Sequence, residues 1–484
     1  MMRIMPPVKG RRRFLKSSLY AGGGVLLGAA GLNGISPLIW RESLPVDGNR
    51  SYWARAQPLR NTKLQKDLVV DVAIVGGGFT GLSTAYYMRQ ASPQKTIVVL
   101  EAEGCGNGAS GRNGGMVLTM TADRYMSFSS SPLMDRDLYD LTSDNIRSIA
   151  QLSVATGIDC ELEAHGALQV FSTKEEAKAG REYVTQARSL GMPVEFWDAP
   201  QTAGAIGSDV YEGGYFDPNG AQVHPMKLVR VFKAAAENAG ASIYESTPVQ
   251  SIVSDREHQL RTRDGHIIRA KALVLASNAF TPAFGYFRNS ILPLREYVTI
   301  TRPLSAAESE RIGWRSRVPF NDSKTMVYYF GATADRRIHI GGSSPHYNFN
   351  NTSRGIGGMR THELQLRKEL LRVFPRLDGV EFETTWDGVI DWSLDASPSV
   401  GYTGRYRNIF YALGYSGHGV NLSSIFGRII ADLDAGREAA WRRFPFVNAR
   451  MDYVPNEPFR WLAAEAGLAW YNLTESGASK TGRL

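Results

Sequence analysis

The feature that most constrains this chain is a buried-type strand running straight into a glycine triplet. Leu68-Val69-Val70-Asp71-Val72-Ala73-Ile74-Val75 is apolar and β-branched, as a strand covered on both faces requires. Gly76-Gly77-Gly78-Phe79-Thr80-Gly81 follows at once. The pattern predicts a helix over 82–90, stopped by Pro93, then a second strand over 96–100 ending in Glu101, twenty residues past Gly81. In such a unit Gly76 makes the tight turn and Gly78 lets backbone N–H groups reach a pyrophosphate. Gly81 lets helix and strand approach closely. Glu101 would accept from ribose hydroxyls and repel a 2′-phosphate, so a dinucleotide other than NADP is expected. Phe79, Thr80 and Ala102 fall in the same cradle.

Two further glycine-rich segments bear on which dinucleotide binds. Residues 104–115 read GCGNGASGRNGG and place Ser110, Gly111, Arg112, Asn113, Gly114 and Gly115 in one loop. So many glycines let backbone lie flat against a large planar ligand and donate several N–H groups. More than 300 residues after the first unit, a strand over 408–413 enters Gly414-Tyr415-Ser416-Gly417-His418-Gly419, and a helix is expected from Val420 to residue 435. Its N-terminus would face an anionic part of the cofactor. His418 is a catalytic candidate by residue type only, since geometry decides such roles.

Glycine is the compositional outlier, 49 of 484 residues, without a collagen-like repeat. The net charge of +8 suggests nucleic acid until it is located. Six basic residues and no acid lie in 1–40, leaving 49 basic against 47 acidic residues elsewhere, so no nucleic-acid partner is expected. Two cysteines, Cys105 and Cys160, make no disulfide framework and show no metal-ligand spacing, though one bridge between them is open. Gly10-Arg11-Arg12-Arg13-Phe14-Leu15-Lys16 precedes an apolar run over 19–40. It resembles a twin-arginine export signal, with Gly10 where Ser or Thr is usual. That implies a periplasmic or exported protein, with 19–40 either cleaved near Gly28-Ala29-Ala30 or kept as an inner-membrane anchor. From Arg41 onward no comparably long apolar stretch occurs, so the body is expected to be soluble.

With its two glycine motifs, ASGRNGG and GYSGHGV, the chain resembles the flavin-dependent D-amino-acid-oxidase superfamily, and within it γ-glutamylputrescine oxidases. Further matches are Gly220-Ala221-Gln222-Val223-His224-Pro225, Ala276-Ser277-Asn278-Ala279, Thr333-Ala334-Asp335 before Gly341-Gly342, and Trp386-Asp387-Gly388. The resemblance implies an α/β protein with a Rossmann-like FAD domain built from discontinuous segments, plus a substrate domain with a mostly antiparallel sheet. The expected order is leader 1–40, linker 41–66, FAD segments 67–155, 225–282 and 386–436, substrate segments 156–224 and 283–385, and a helical extension 437–484. It also implies that Val249 backbone holds the adenine and that Ala276 and Asn278 close over the pyrophosphate. Gly414, Gly417, His418, Gly419 and Val420 would serve the flavin edge. The implied reaction is oxidation of a C–N bond in an amine or amino acid, with hydride passing to the flavin and an imine as product.

Two departures stand out. The relatives carry arginine where this chain has Gly331 and Ala396. Arginine in such a pocket binds carboxylate bidentately, so both losses weigh against the family's usual substrate. Arg112, Arg288 and Arg295 are the available substitutes, and Arg112 and Arg295 join His418 as catalytic candidates. The cysteine or histidine that tethers flavin in covalent relatives is missing, so FAD is expected to be non-covalent. The electron acceptor is oxygen or a quinone or cytochrome. The alternative function is a flavoprotein redox subunit or binding module of a membrane-associated complex without amine chemistry.

Overall fold

The computed structural model describes residues 51–56, 61–324, 326–351 and 359–478. The predicted leader, with Arg11 and Arg12, lies outside the described residues, as do 41–50 and 57–60 of the predicted linker. Among the described residues no helix is long and apolar enough to cross a membrane.

Among the described residues two eight-stranded sheets organise the chain. The first runs Ser399–Thr403, Ile409–Leu413, Ile267–Leu275, Leu68–Val75, Ile97–Leu100, Ser242–Tyr244, with Val249–Ser254 and His258–Thr262 added as a hairpin beside Ile267–Leu275. All but Ser399–Thr403 and the hairpin pair in parallel. Parallel pairing explains the unbroken apolar runs, because helices cover both faces. Ile74, Val99 and Val274 are fully buried as a result. The strand ends carrying Gly76, Glu101, Ala276 and Ala412 open on one cavity, the usual ligand position in an open α/β sheet.

The second sheet runs Phe382–Trp392, Leu292–Thr301, Ile338–His346, Tyr328–Ala332, Phe320–Asp322, Ala167–Phe171, Gly213–Asp217, Glu195–Asp198. It is antiparallel except for the Phe320–Asp322 and Ala167–Phe171 pair. Strand Phe382–Trp392 runs across the segment boundary expected at 385/386. It pairs with Leu292–Thr301 along almost its whole length, and that ladder holds the strand in the second sheet.

Other elements differ from expectation by a few residues, for local reasons. The first helix spans Phe79–Ala91, starting inside the glycine motif because Gly78, in extended conformation, is its N-cap. Strand Tyr328–Ala332 starts where the Tyr328 N–H is held by Asp322 Oδ1 at 2.9 Å. The late helix spans Gly419–Asp434. These two helices pack closely through Gly427, where a Cβ would meet Thr84 N at 2.7 Å. Thr80 and Tyr415 hydroxyls share a hydrogen bond of 2.7 Å, which fastens the two helix N-termini together. Cys105 and Cys160 are both buried and free, so the bridge left open by the sequence does not form.

Candidate active site

A cavity of about 500 Å³ lies between the two sheets and joins the glycine motifs to the second sheet. Its floor is the first glycine turn. Gly76 has φ +111°, and a Cβ there would run into the Ala276 carbonyl, so only glycine lets the two strand ends meet. At Gly78 a Cβ would lie 2.8 Å from Ser110 Oγ, which already accepts from Phe79 N at 2.9 Å. The first turn of helix Phe79–Ala91 holds no acid and opens on the cavity through Gly78, Phe79 and Thr80, an arrangement suited to an anion.

Glu101 and Ala102 line the same end. Glu101 Oε2 accepts from Gly77 N at 2.7 Å and Oε1 from Glu103 N at 3.0 Å. Burial raises its pKa, against the lowering effect of those two donors. The carboxylate therefore braces the glycine turn as well as facing the cavity. Val249, Ala276 and Asn278 line the cavity beside it.

The loop over 111–114 shows how backbone is aimed. Ser51 Oγ donates to Gly111 O at 2.7 Å, Trp386 Nε1 to Arg112 O at 2.8 Å, Trp53 Nε1 to Asn113 O at 2.8 Å and His339 Nε2 to Gly114 O at 2.9 Å. Consecutive carbonyls are thus pinned from behind by side chains far away in sequence. The N–H groups of Asn113 and Gly114 take no protein acceptor among the described residues, and both residues line the cavity. Burial pushes the His339 imidazole down to about 4, so it stays neutral and donates from Nε2. Trp53 packs edge-on against His339 and Trp386, with centroids 5.4 and 6.0 Å apart. Residue-by-residue reading could not find this clasp, because its members belong to no shared motif.

On the opposite side Gly417, His418, Gly419 and Val420 line the cavity at the uncapped N-terminus of helix Gly419–Asp434. Asp391 Oδ2 accepts from Gly414 N at 2.6 Å and fixes the turn; burial raises its carboxyl to about 7. The His418 ring lies 5.3 Å from that of Tyr125, which also lines the cavity.

Several predicted residues sit elsewhere. Gly81, Gly111 and Gly414 lie behind the cavity wall. A Cβ at Gly81 would overlap Gly76 O, and one at Gly111 would overlap Gly106 O, while Gly414 has φ +75°. Their role is close packing. Arg112 lines the cavity but spends its guanidinium on Asn107 O at 2.6 Å and Asp387 O at 2.9 Å. Arg295 points to the other face of its strand from cavity-lining Leu294 and Glu296 and forms a buried ion pair with Asp387. Arg288 does not line the cavity; its Nε donates to Pro282 O at 3.3 Å. Gly331 also lies outside the cavity wall. It pairs with His339, and a Cβ there would overlap the imidazole, so an arginine cannot fit at this position. Gln169, Asn321 and Tyr329 on the second sheet line the cavity without having been anticipated. Among the described residues no cluster of three or more His, Cys, Asp or Glu side chains could hold a metal.

These residues fit a flavin dinucleotide. Two helix N-termini whose N-cap residues make no side-chain cap converge on one cavity, the first glycine turn has no room for Cβ atoms, and a carboxylate stands at the second strand end. The comparisons agree. The family described as DAO, FAD dependent oxidoreductase, matches residues 71–433. The chain is 29% identical to gamma-glutamylputrescine oxidoreductase of Escherichia coli (strain K12) over 427 residues, 85% of this chain and 94% of that one. It is 27% identical to glycine oxidase of Geobacillus kaustophilus (strain HTA426) over 391 residues, 78% of this chain and 97% of that one. The crystal structure of Geobacillus kaustophilus glycine oxidase superimposes with a TM-score of 0.67 at 25% identity, covering 79% of this chain and 99% of that one. L-proline dehydrogenase from P. horikoshii shares the fold at TM-score 0.63 and 19% identity, covering 79% of this chain and 98% of that one. Matched across most of its length, the chain belongs to the DAO family of FAD-dependent oxidoreductases.

Proposed function

We propose that this enzyme oxidises the C–N bond of an amine or amino acid to an imine, which water then hydrolyses. One observation carries the reading: a single cavity joins the dinucleotide cradle to a polar wall on the second sheet, where the Tyr329 ring abuts Gly114 of the pinned loop. The relatives named as a gamma-glutamylputrescine oxidoreductase and a glycine oxidase support it. Bound FAD supplies the two-electron acceptor for the hydride that leaves the carbon.

The chain's own residues bind and orient. Gly76, Gly78, Phe79 and Thr80 would hold the pyrophosphate, Glu101 the ribose and Val249 the adenine, with Ala276 and Asn278 closing over. N–H groups of Asn113, Gly114 and the first turn of helix Gly419–Asp434 would hold the electron-rich edge of the flavin. Burial pushes the phenols of Tyr125 and Tyr329 well above their ordinary range, so they position substrate by hydrogen bonding and do not serve as bases. We further propose non-covalent FAD, reoxidation by oxygen or by a quinone or cytochrome, and export to the periplasm through the twin-arginine machinery.

The test is anaerobic bleaching of the flavin by a panel of polyamines, N-methyl amino acids and D- and L-amino acids. Reoxidation by air against a quinone analogue then identifies the acceptor. A flavin that no member bleaches would favour a redox subunit without amine chemistry. Replacing Arg11 and Arg12 with Lys should trap FAD-loaded protein in the cytoplasm.

A further inference from the structure

The cavity wall opposite the dinucleotide cradle is one row of side chains across the second sheet. Hydrogen-bond register passes from Tyr215 to Gln169, Asn321, Tyr329 and Gly341 on successive strands. Residues in register share a face of the sheet. The Tyr329 ring is wedged between Gly341 and Gly114, since a Cβ on either glycine would overlap it. The row therefore starts at the cofactor loop and leads away from it. One strand along stands Asn321 and two along Gln169, side by side and facing the cavity, at 7% and 4% exposure.

Their carbonyl oxygens, Asn321 Oδ1 and Gln169 Oε1, are buried and have no hydrogen-bond partner among the described residues. Asn321 Nδ2 donates to Asp322 O at 3.3 Å. A buried acceptor without a donor costs free energy, and two in adjacent register positions point to a ligand that brings the donors.

Charge on this wall points the same way. Glu296 and Asp322 line it. Lys324 lines it too, but its ammonium is committed to Glu369 at 2.7 Å and Asp322 at 3.5 Å. Arg112 is spent on backbone carbonyls and Arg295 on Asp387. Arg263 lines the cavity at the far end beside Pro248 and Val249, where its backbone N–H donates to Pro248 O at 2.9 Å. Turned over, either carboxamide could donate to an anion, but the Glu296 carboxylate on the same wall opposes an anion there.

We propose that Gln169 and Asn321 form a subsite for a second nitrogen of the substrate, an N–H-bearing group as in a diamine or polyamine, away from the C–N bond that is oxidised. The proposal rests on the amine-oxidation reading above. It selects against substrates whose distal group is a carboxylate, by unpaired acceptors and like charge.

The test uses the FAD-loaded protein without oxygen. Its probes are α,ω-diaminoalkanes, n-alkylamines and ω-amino carboxylates of matched length, over a series of chain lengths. Binding is read from perturbation of the flavin absorbance, and oxidation from bleaching. At the best length the diamine should bind about tenfold tighter than the monoamine, with the amino carboxylate weakest. Asn321→Leu and Gln169→Leu should each bring diamine and monoamine within about twofold of one another. Gln169→Glu, nearly isosteric, guards against a folding failure and should tighten the diamine while weakening the amino carboxylate further. Equal affinities at every length, or a preference for the amino carboxylate, would overturn the subsite. Binding in the stated order without bleaching would sustain the subsite and refute amine oxidation.

Discussion

The indole N–H of Trp386 donates to the carbonyl oxygen of Arg112 at 2.8 Å, across 274 residues of chain. Trp386 is fully buried, and its neighbour Asp387 returns a carbonyl to the Arg112 guanidinium at 2.9 Å. The second sheet thereby grips the glycine-rich loop from behind. Trp386→Phe removes the donor but keeps most of the volume. It should cost about 1–3 kcal/mol, the usual penalty for a buried acceptor left unsatisfied, and speed FAD release. Urea denaturation and the rate of flavin fluorescence recovery on dilution check both effects. An unchanged release rate would show that the grip does not hold the cofactor.

Glu101 braces the glycine turn through Gly77 N and also faces the cavity, where we propose it holds the ribose. Glu101→Ala should yield protein that loses FAD on purification and regains activity with excess FAD. Charge-assisted hydrogen bonds of this kind contribute about 1.5–3 kcal/mol. Full FAD occupancy after purification would count against the role.

Gly331 faces the His339 ring. Gly331→Arg should therefore damage folding: soluble yield and thermal stability should fall, with no gain of carboxylate-bearing substrates. A stable, soluble variant with altered substrate preference would show that the side chain reaches the cavity.

His339 makes stability pH-dependent. Its folded-state value of about 4 lies below the ordinary histidine value of about 6.5. Between these values the unfolded chain binds the proton and the folded chain does not. The His339 contribution to stability is therefore full above about 6.5, falls with pH through this window and levels off below about 4. His339→Gln can still donate to Gly114 O but cannot titrate. The stability difference between wild type and variant should shift by up to about 3 kcal/mol across the window. His362 adds a slope of the same sign, and Asp322 and Asp391, raised to about 7, add the opposite one. Only the difference between the two proteins isolates His339, and a flat difference would mean that this histidine is not buried neutral.

Gly419 begins its helix at the cavity. A Cβ there would meet Tyr415 Cβ at 3.5 Å, an ordinary contact, so the protein itself tolerates alanine. Gly419→Val reaches further and should weaken sulfite binding to the flavin and lower the flavin's reduction potential, with circular dichroism unchanged. The helix N-terminus stabilises nearby negative charge by about 0.3–1 kcal/mol when exposed and up to about 2 when partly buried. Unchanged sulfite affinity would place the helix away from the flavin.

Local patterns in the sequence were enough to place the strand, glycine turn and helix expected to cradle a dinucleotide. Strand Leu68–Val75, the turn through Gly76, helix Phe79–Ala91 and Glu101 are close neighbours in the chain, and β-branched runs, glycine spacing and a closing acid are features that short segments impose by themselves. The same holds for the late turn before helix Gly419–Asp434. Tertiary structure decided what those motifs face. Which glycines line the cavity and which, like Gly81 and Gly111, only let backbones pass depends on neighbours from other segments. The clasp of Ser51, Trp53, His339 and Trp386 on consecutive carbonyls joins residues up to 274 positions apart, and no spacing rule links them. Arg295 was a pocket candidate by residue type, yet strand alternation turned it toward Asp387 and brought Leu294 and Glu296 to the cavity. Gln169 and Asn321 sit in short, unremarkable strands. Only the sheet register, fixed by burial of Leu168 and Phe320 on the opposite face, puts their carboxamides side by side on the cavity wall.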